Sequence, residues 1–147
     1  MNSAKQQQLE KFFAAYEQRF NDVLNGRPTD VEATAAAFAD YFVESSPKGV
    51  MGGKNDEQFR EMIPRGNEFY KSIGTLSMKI GKLDITELDD FHAVAKVHWL
   101  SSYKNNKRID FDVFYMVTLT GGAPKIFAYV TGDEQKVLAE NDLVPKQ

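Results

Sequence analysis

The chain has 147 residues, of which 42% are hydrophobic, with 11 Phe and 6 Tyr; this suits one domain with one packed core and excludes general disorder. A net charge of −3, from 21 acids against 18 bases, leaves no basic excess to neutralise a phosphate backbone, so nucleic acid is not expected as the main partner. The absence of cysteine excludes disulfides, thiol catalysis and thiolate metal sites.

The first segment, MNSAKQQQLEKFF, has neither an apolar run nor a small-residue cleavage pattern, so no secretory signal is read there. Nowhere do about 18 apolar residues run together. A cytoplasmic protein that does not engage a membrane is the expectation. Leu9, Phe12, Phe13, Tyr16, Phe20, Val23 and Leu24 recur at steps of three and four, which predicts an amphipathic helix over 6–25 ended by Asn25-Gly26. Thr29 with Glu32 makes a capping box for a second helix, whose body is VEATAAAFADYFV. Pro47, Gly49, Gly52 and Gly53 then mark a corner with a short extended segment around Val50 and Met51. A third helix follows from about Asn55, capped by Asn55 or Asp56. Pro64 and Gly66 either kink it or divide it in two.

After Gly74 the period changes to two. Leu76, Met78 and Ile80 alternate with polar residues, and the phase flips at Gly81, where Leu83 and Ile85 take over. A one-residue flip at a glycine predicts a β-bulge. Turns at Asp89-Asp90, Asn105-Asn106 and Gly121-Gly122 separate strands at 91–103, 108–119 and 125–131, an antiparallel meander. The tail after Gly132 reads as a last helical turn and then fraying. Segregated helices and strands define an α+β protein.

Three passages carry a resemblance: FNDVLNGRPTD at the first helix end, AAAFADYFVESSPKGVMGGKNDEQF through the corner, and DVFYMVTLTGGAPKIFAYVTGD at the last strand pair. As an ordered pattern over nearly the whole chain they resemble the NTF2-like superfamily, in its SnoaL-like and ketosteroid-isomerase-like branch. The resemblance implies a single domain over 1–147. It implies a cone of three N-terminal helices packed on a strongly bent, mostly antiparallel sheet, with a pocket between helices and concave face. It also implies a homodimer through the sheet. Members include isomerases, dehydratases, cyclases, ligand sensors and protein-binding modules, and a shared fold does not carry a shared activity.

The chain departs from the isomerase pattern at two places. The catalytic Asp before the corner Pro is Ser46 here, and the helix-one Tyr is replaced at the roughly matching place by Phe20. Glu44, two residues earlier, points elsewhere if that segment is extended. Asp112 is the nearest counterpart of the strand Asp that serves the oxyanion in those isomerases. Among Phe111, Val113, Phe114 and Met116 it would be a desolvated acid, or else it pairs with Lys96 or Arg108 across the sheet. His92 and His98 share one strand face about 20 Å apart, too far for one metal ion, and either polar outer positions or a pocket role suit them. No metal and no cofactor are expected; GVMGGK lacks the P-loop spacing. The candidate catalytic residues are Asp112, His98 and Tyr16. The candidate pocket residues are Phe20, Tyr41, Trp99, Phe114, Met116 and Tyr129, with plain core packing as their alternative. The expected function is binding of a small apolar molecule, with cofactor-free isomerase, dehydratase or cyclase chemistry by proton transfer. The alternative is a non-catalytic interaction or dimerisation module using the sheet face.

Overall fold

The computed structural model describes residues 3–146. Helix α1 (Ser3–Leu24) places Leu9 and Phe13 fully inside the core, with Phe12, Tyr16, Phe20 and Leu24 packed against it. Gly26, at φ +94°, closes the helix in the left-handed region that favours glycine.

Helix α2 (Val31–Ala36) differs from the expected one at both ends. Its cap is Asp30, whose carboxylate accepts from Ala33 N at 3.1 Å, while Thr29 bonds elsewhere. It also ends at Ala36, and FADYFV becomes strand β1 (Phe38–Ser46). Helix propensity, even in an Ala-rich run, is a weak prior, and strand pairing on both sides overrides it. β1 is flanked by antiparallel β2 (Gly49–Lys54) and by a parallel strand from the far end of the chain. Asn55 secures the junction, its Nδ2 donating to Ala35 O at 2.8 Å and Phe38 O at 3.1 Å, carbonyls at the helix exit.

Helix α3 (Glu57–Ser72) is capped by Asp56, which accepts from Phe59 N at 3.1 Å, and runs through Pro64 and Gly66 as one helix. The meander follows as expected: β3 (Thr75–Glu87), β4 (His92–Tyr103), β5 (Arg108–Thr118) and β6 (Lys125–Val130). The sheet order is β2-β1-β6-β5-β4-β3. The register slips between Ile80 and Lys82, so the bulge lies at Gly81, where a Cβ would stand 2.9 Å from the Leu100 side chain. Helix α4 (Glu134–Glu140) closes the chain. The residues after it are docked, since Leu143 and Val144 pack against Leu138 and Tyr103.

The odd face of β4 is the inner one: Ala93, Ala95, Val97, Trp99, Ser101 and Tyr103 are all buried. The register sets Val97 opposite Val113 and Ala95 opposite Tyr115, so Ile109, Val113, Tyr115 and Val117 of β5 turn inward with them. The even residues face outward. Phe114 is 40% exposed and Met116 half-buried, so the second face of β5 is open in the single chain. Among the described residues no helix is long and apolar enough to cross a membrane.

Candidate ligand cleft

A cleft of about 770 Å³ opens between α1, the loop into α2, and α3. Residues 16, 19, 20 and 23 of α1 lie on one helical face, which brings Tyr16, Arg19, Phe20 and Val23 to its wall. Phe38 of β1 and Phe59 and Tyr70 of α3 complete an aromatic floor. The rings interlock: Tyr16 and Phe20 have centroids 6.0 Å apart, Phe20 and Tyr70 6.0 Å, Phe38 and Phe59 5.4 Å. Two polar contacts tie the opposite walls together. Asn67 Nδ2 donates to Thr29 Oγ1 at 2.9 Å, and Arg60 Nε pairs with Glu32 Oε1 at 2.9 Å.

Behind the floor lies a set of buried phenols. Trp99 Nε1 donates to Tyr115 Oη at 3.2 Å, and Tyr129 Oη donates to Glu44 Oε2 at 2.9 Å. Tyr70 Oη donates to Glu134 Oε2 at 2.6 Å. Burial pushes the Tyr16 phenol up to about 12 and raises Tyr70, Tyr115 and Tyr129 as well. These groups therefore stay protonated and serve as hydrogen-bond donors rather than bases. Glu134 keeps part of its surface in solvent, yet crowding around its carboxyl raises its pKa. In the cleft wall, burial lowers the pKa of Arg19.

The residues singled out in the sequence fall into three places. Tyr16 and Phe20 line the cleft. Trp99, 1% exposed, packs behind them at 6.2 and 6.1 Å, and Tyr129, half-buried, lies beside Glu44 outside the cleft lining. Glu44 does sit on an extended strand, but its side chain accepts from Tyr129 and lies outside the cleft lining. Tyr41, Phe114 and Met116 do not join them. Tyr41 is 67% exposed, and Phe114 and Met116 are even residues of β5, pointing away from α1.

Asp112 and His98 come together, but on the outer face and away from Tyr16. They are direct cross-strand partners, with Nδ1 2.8 Å from Asp112 Oδ1, and His98 Nε2 lies 3.1 Å from Asp110 Oδ2. Asp112 thus pairs with His98 rather than with Lys96 or Arg108; Lys96 stands 5.7 Å over the Phe114 ring. The Asp112 bond is the first cause of a raised His98 pKa. His92 is an outer residue held by Asp89 at 2.9 Å. Among the described residues no group of three or more His, Asp or Glu is placed to hold a metal ion. Arg19 and Asn67 were not singled out from sequence, and Thr29 was read there only as a helix cap. Arg19 stands three residues after Tyr16, and that spacing was the available signal for it.

An α+β fold in which helices cover the inner face of a mostly antiparallel six-stranded sheet is that of an NTF2-like protein. The chain belongs to the family described as NTF2-like protein (DUF6841), whose model matches residues 6–134. Solved structures share the fold. An NTF-2 like protein of unknown function from Shewanella oneidensis MR-1 is 12% identical, with a TM-score of 0.68 over 88% of this chain and 99% of that one. A candidate scytalone dehydratase from Novosphingobium aromaticivorans DSM 12444 is 16% identical, with a TM-score of 0.62 over 88% and 83%. A ketosteroid isomerase-like protein from Erwinia carotovora atroseptica SCRI1043 is 15% identical, with a TM-score of 0.55 over 84% and 91%. No curated protein matches the chain.

Proposed function

We propose that this protein binds a small, largely apolar molecule in the cleft between α1, α2 and α3. The observation that carries the reading is the cleft itself: about 770 Å³, floored by Tyr16, Phe20, Phe38, Phe59 and Tyr70, with charged side chains elsewhere in its lining. Isomerase, dehydratase or cyclase chemistry by proton transfer needs an acid and a base facing the bound molecule. Asp112 and His98 lie on the other face of the sheet, and the lining phenols are held protonated.

Gly66 provides the test. It lines the cleft, and a Cβ there would meet nothing within 4 Å. Gly66→Phe should keep or raise the melting temperature, because Phe is the better helix former. It should also weaken binding of the neutral probe N-phenyl-1-naphthylamine about tenfold or more by filling the space. Quenching of the lone Trp99, packed behind Phe20, reads the binding. Equal binding to both proteins, or none to the wild type, would sink the reading.

A second reading concerns the outer face of the sheet, where we propose that a second copy docks. Val43, Leu100, Phe114 and Val130 are all 40% exposed or more, and the register sets Val130 opposite Phe114 across β5 and β6. Exposed apolar groups gathered on one sheet face suit an isologous partner.

A further inference from the structure

Among the described residues that line the cleft, Arg19 is a cation with no ion pair or hydrogen bond to another side chain. Arg19 projects from α1 over the Tyr16 ring, with Cζ 5.8 Å from the centroid, and it is half-buried in the wall. The other bases nearby are engaged: Arg27 lies 3.4 Å from Asp22, and Arg60 2.9 Å from Glu32. Asp30 acts on Arg19 through space without forming an ion pair with it, and its Oδ1 accepts from Ala33 N at the start of α2. No ion pair or hydrogen bond joins the Arg19 guanidinium to another described residue. A guanidinium keeps five donors in a rigid fork, and those of Arg19, half-buried in the wall, stay open to water or to a ligand.

Resting on the binding reading above, we infer that the cleft selects a flat, apolar molecule carrying a single carboxylate, and that Arg19 receives that carboxylate. The fork matches the two oxygens of a carboxylate, and the aromatic floor beside it takes the remainder of the molecule. Asp30 lines the same cleft and makes no ion pair among the described residues, so a phosphate dianion would meet more repulsion there than a carboxylate does. The lowered pKa of Arg19 reflects the same desolvation and leaves it charged at neutral pH.

Calorimetric titration of the full chain with naphthalene-2-acetate and with its neutral amide, 2-(2-naphthyl)acetamide, tests this. The acid should bind the wild type about tenfold or more tightly than the amide. Arg19→Gln should bring the acid down to the level of the amide and leave amide binding unchanged. Arg19→Lys, which keeps the charge without the fork, should fall between. Equal binding of acid and amide to the wild type overturns the carboxylate inference and leaves the cleft reading standing. A preference for the acid that survives in Arg19→Gln overturns the role of Arg19. Failure of both probes, or binding that Gly66→Phe does not weaken, overturns both readings. If Arg19→Gln does not fold, the acid-to-amide ratio of the wild type still decides.

Discussion

His98 stands between two carboxylates, Asp112 on Nδ1 and Asp110 on Nε2, and this sets its proton affinity. Its pKa is raised above 6.5, through the Asp112 hydrogen bond first. A base whose folded pKa exceeds its unfolded one contributes stability fully below the unfolded pKa. That contribution is lost as pH rises through the folded pKa. Stability linked to His98 should therefore decline upward from about pH 6.5. Asp112→Asn should move the His98 ring-proton titration back toward 6.5 in an NMR pH series, with little change in melting temperature because the pair is exposed. A titration unmoved by the substitution would refute this account. The sequence showed Asp112 and its apolar neighbours but not its partner. That partner depends on the β4–β5 register, which alternation alone does not fix.

Helix α1 is joined to β3 by more than its apolar stripe. Asn21, 6% exposed, donates to Met78 O at 2.7 Å and accepts from Met78 N at 3.0 Å, and Glu17 accepts from Ile80 N. Side chains of a helix thus serve strand backbone just before the bulge at Gly81. Asn21→Leu removes both bonds and leaves the Met78 amide and carbonyl without partners. It should cost about 1–3 kcal/mol in urea unfolding, and a loss well below that range would mean water takes over those bonds. The elements themselves were legible where periodicity is strong: α1, the meander and the phase flip at Gly81 stand where the pattern puts them. α2 was not. Phe38, Tyr41 and Phe42 are spaced as on a helix, and the pairing of β1 with β6 that makes them a strand involves residues about 80 positions away. Asn21 was illegible for a similar reason, since an amide near a helix end reads as surface or cap until the facing strand is known.

At the scale of the molecule the sheet has two faces with different fates. Alternation in β4 and β5 separated the faces but did not say which lies under α1, so Phe114 and Met116 were assigned to the hollow. On the inner face the run Ala93, Ala95, Val97 followed by Trp99 joins Leu9 and Phe13 of α1 in one core. The outward face is left with Leu100, Phe114 and Val130 in solvent. Phe114→Lys should convert a dimer to a monomer in sedimentation velocity while leaving the melting curve of the fold nearly unchanged. A wild type that stays monomeric at high concentration would end the dimer reading.

The parallel pairing of β1 with β6, Val43 beside Ala128, also has a temporal side. A chain made from its amino end presents β1 early, when only β2 is there to flank it. The neighbour that completes it is the last strand to leave the ribosome. Until then Phe38 and Phe42 stand at an open strand edge, a state prone to aggregation. Such distant pairing also implies slow closure, after the local meander of β3, β4 and β5 has formed. Completion of β1 therefore waits on the synthesis of β6, about 85 residues further along the chain.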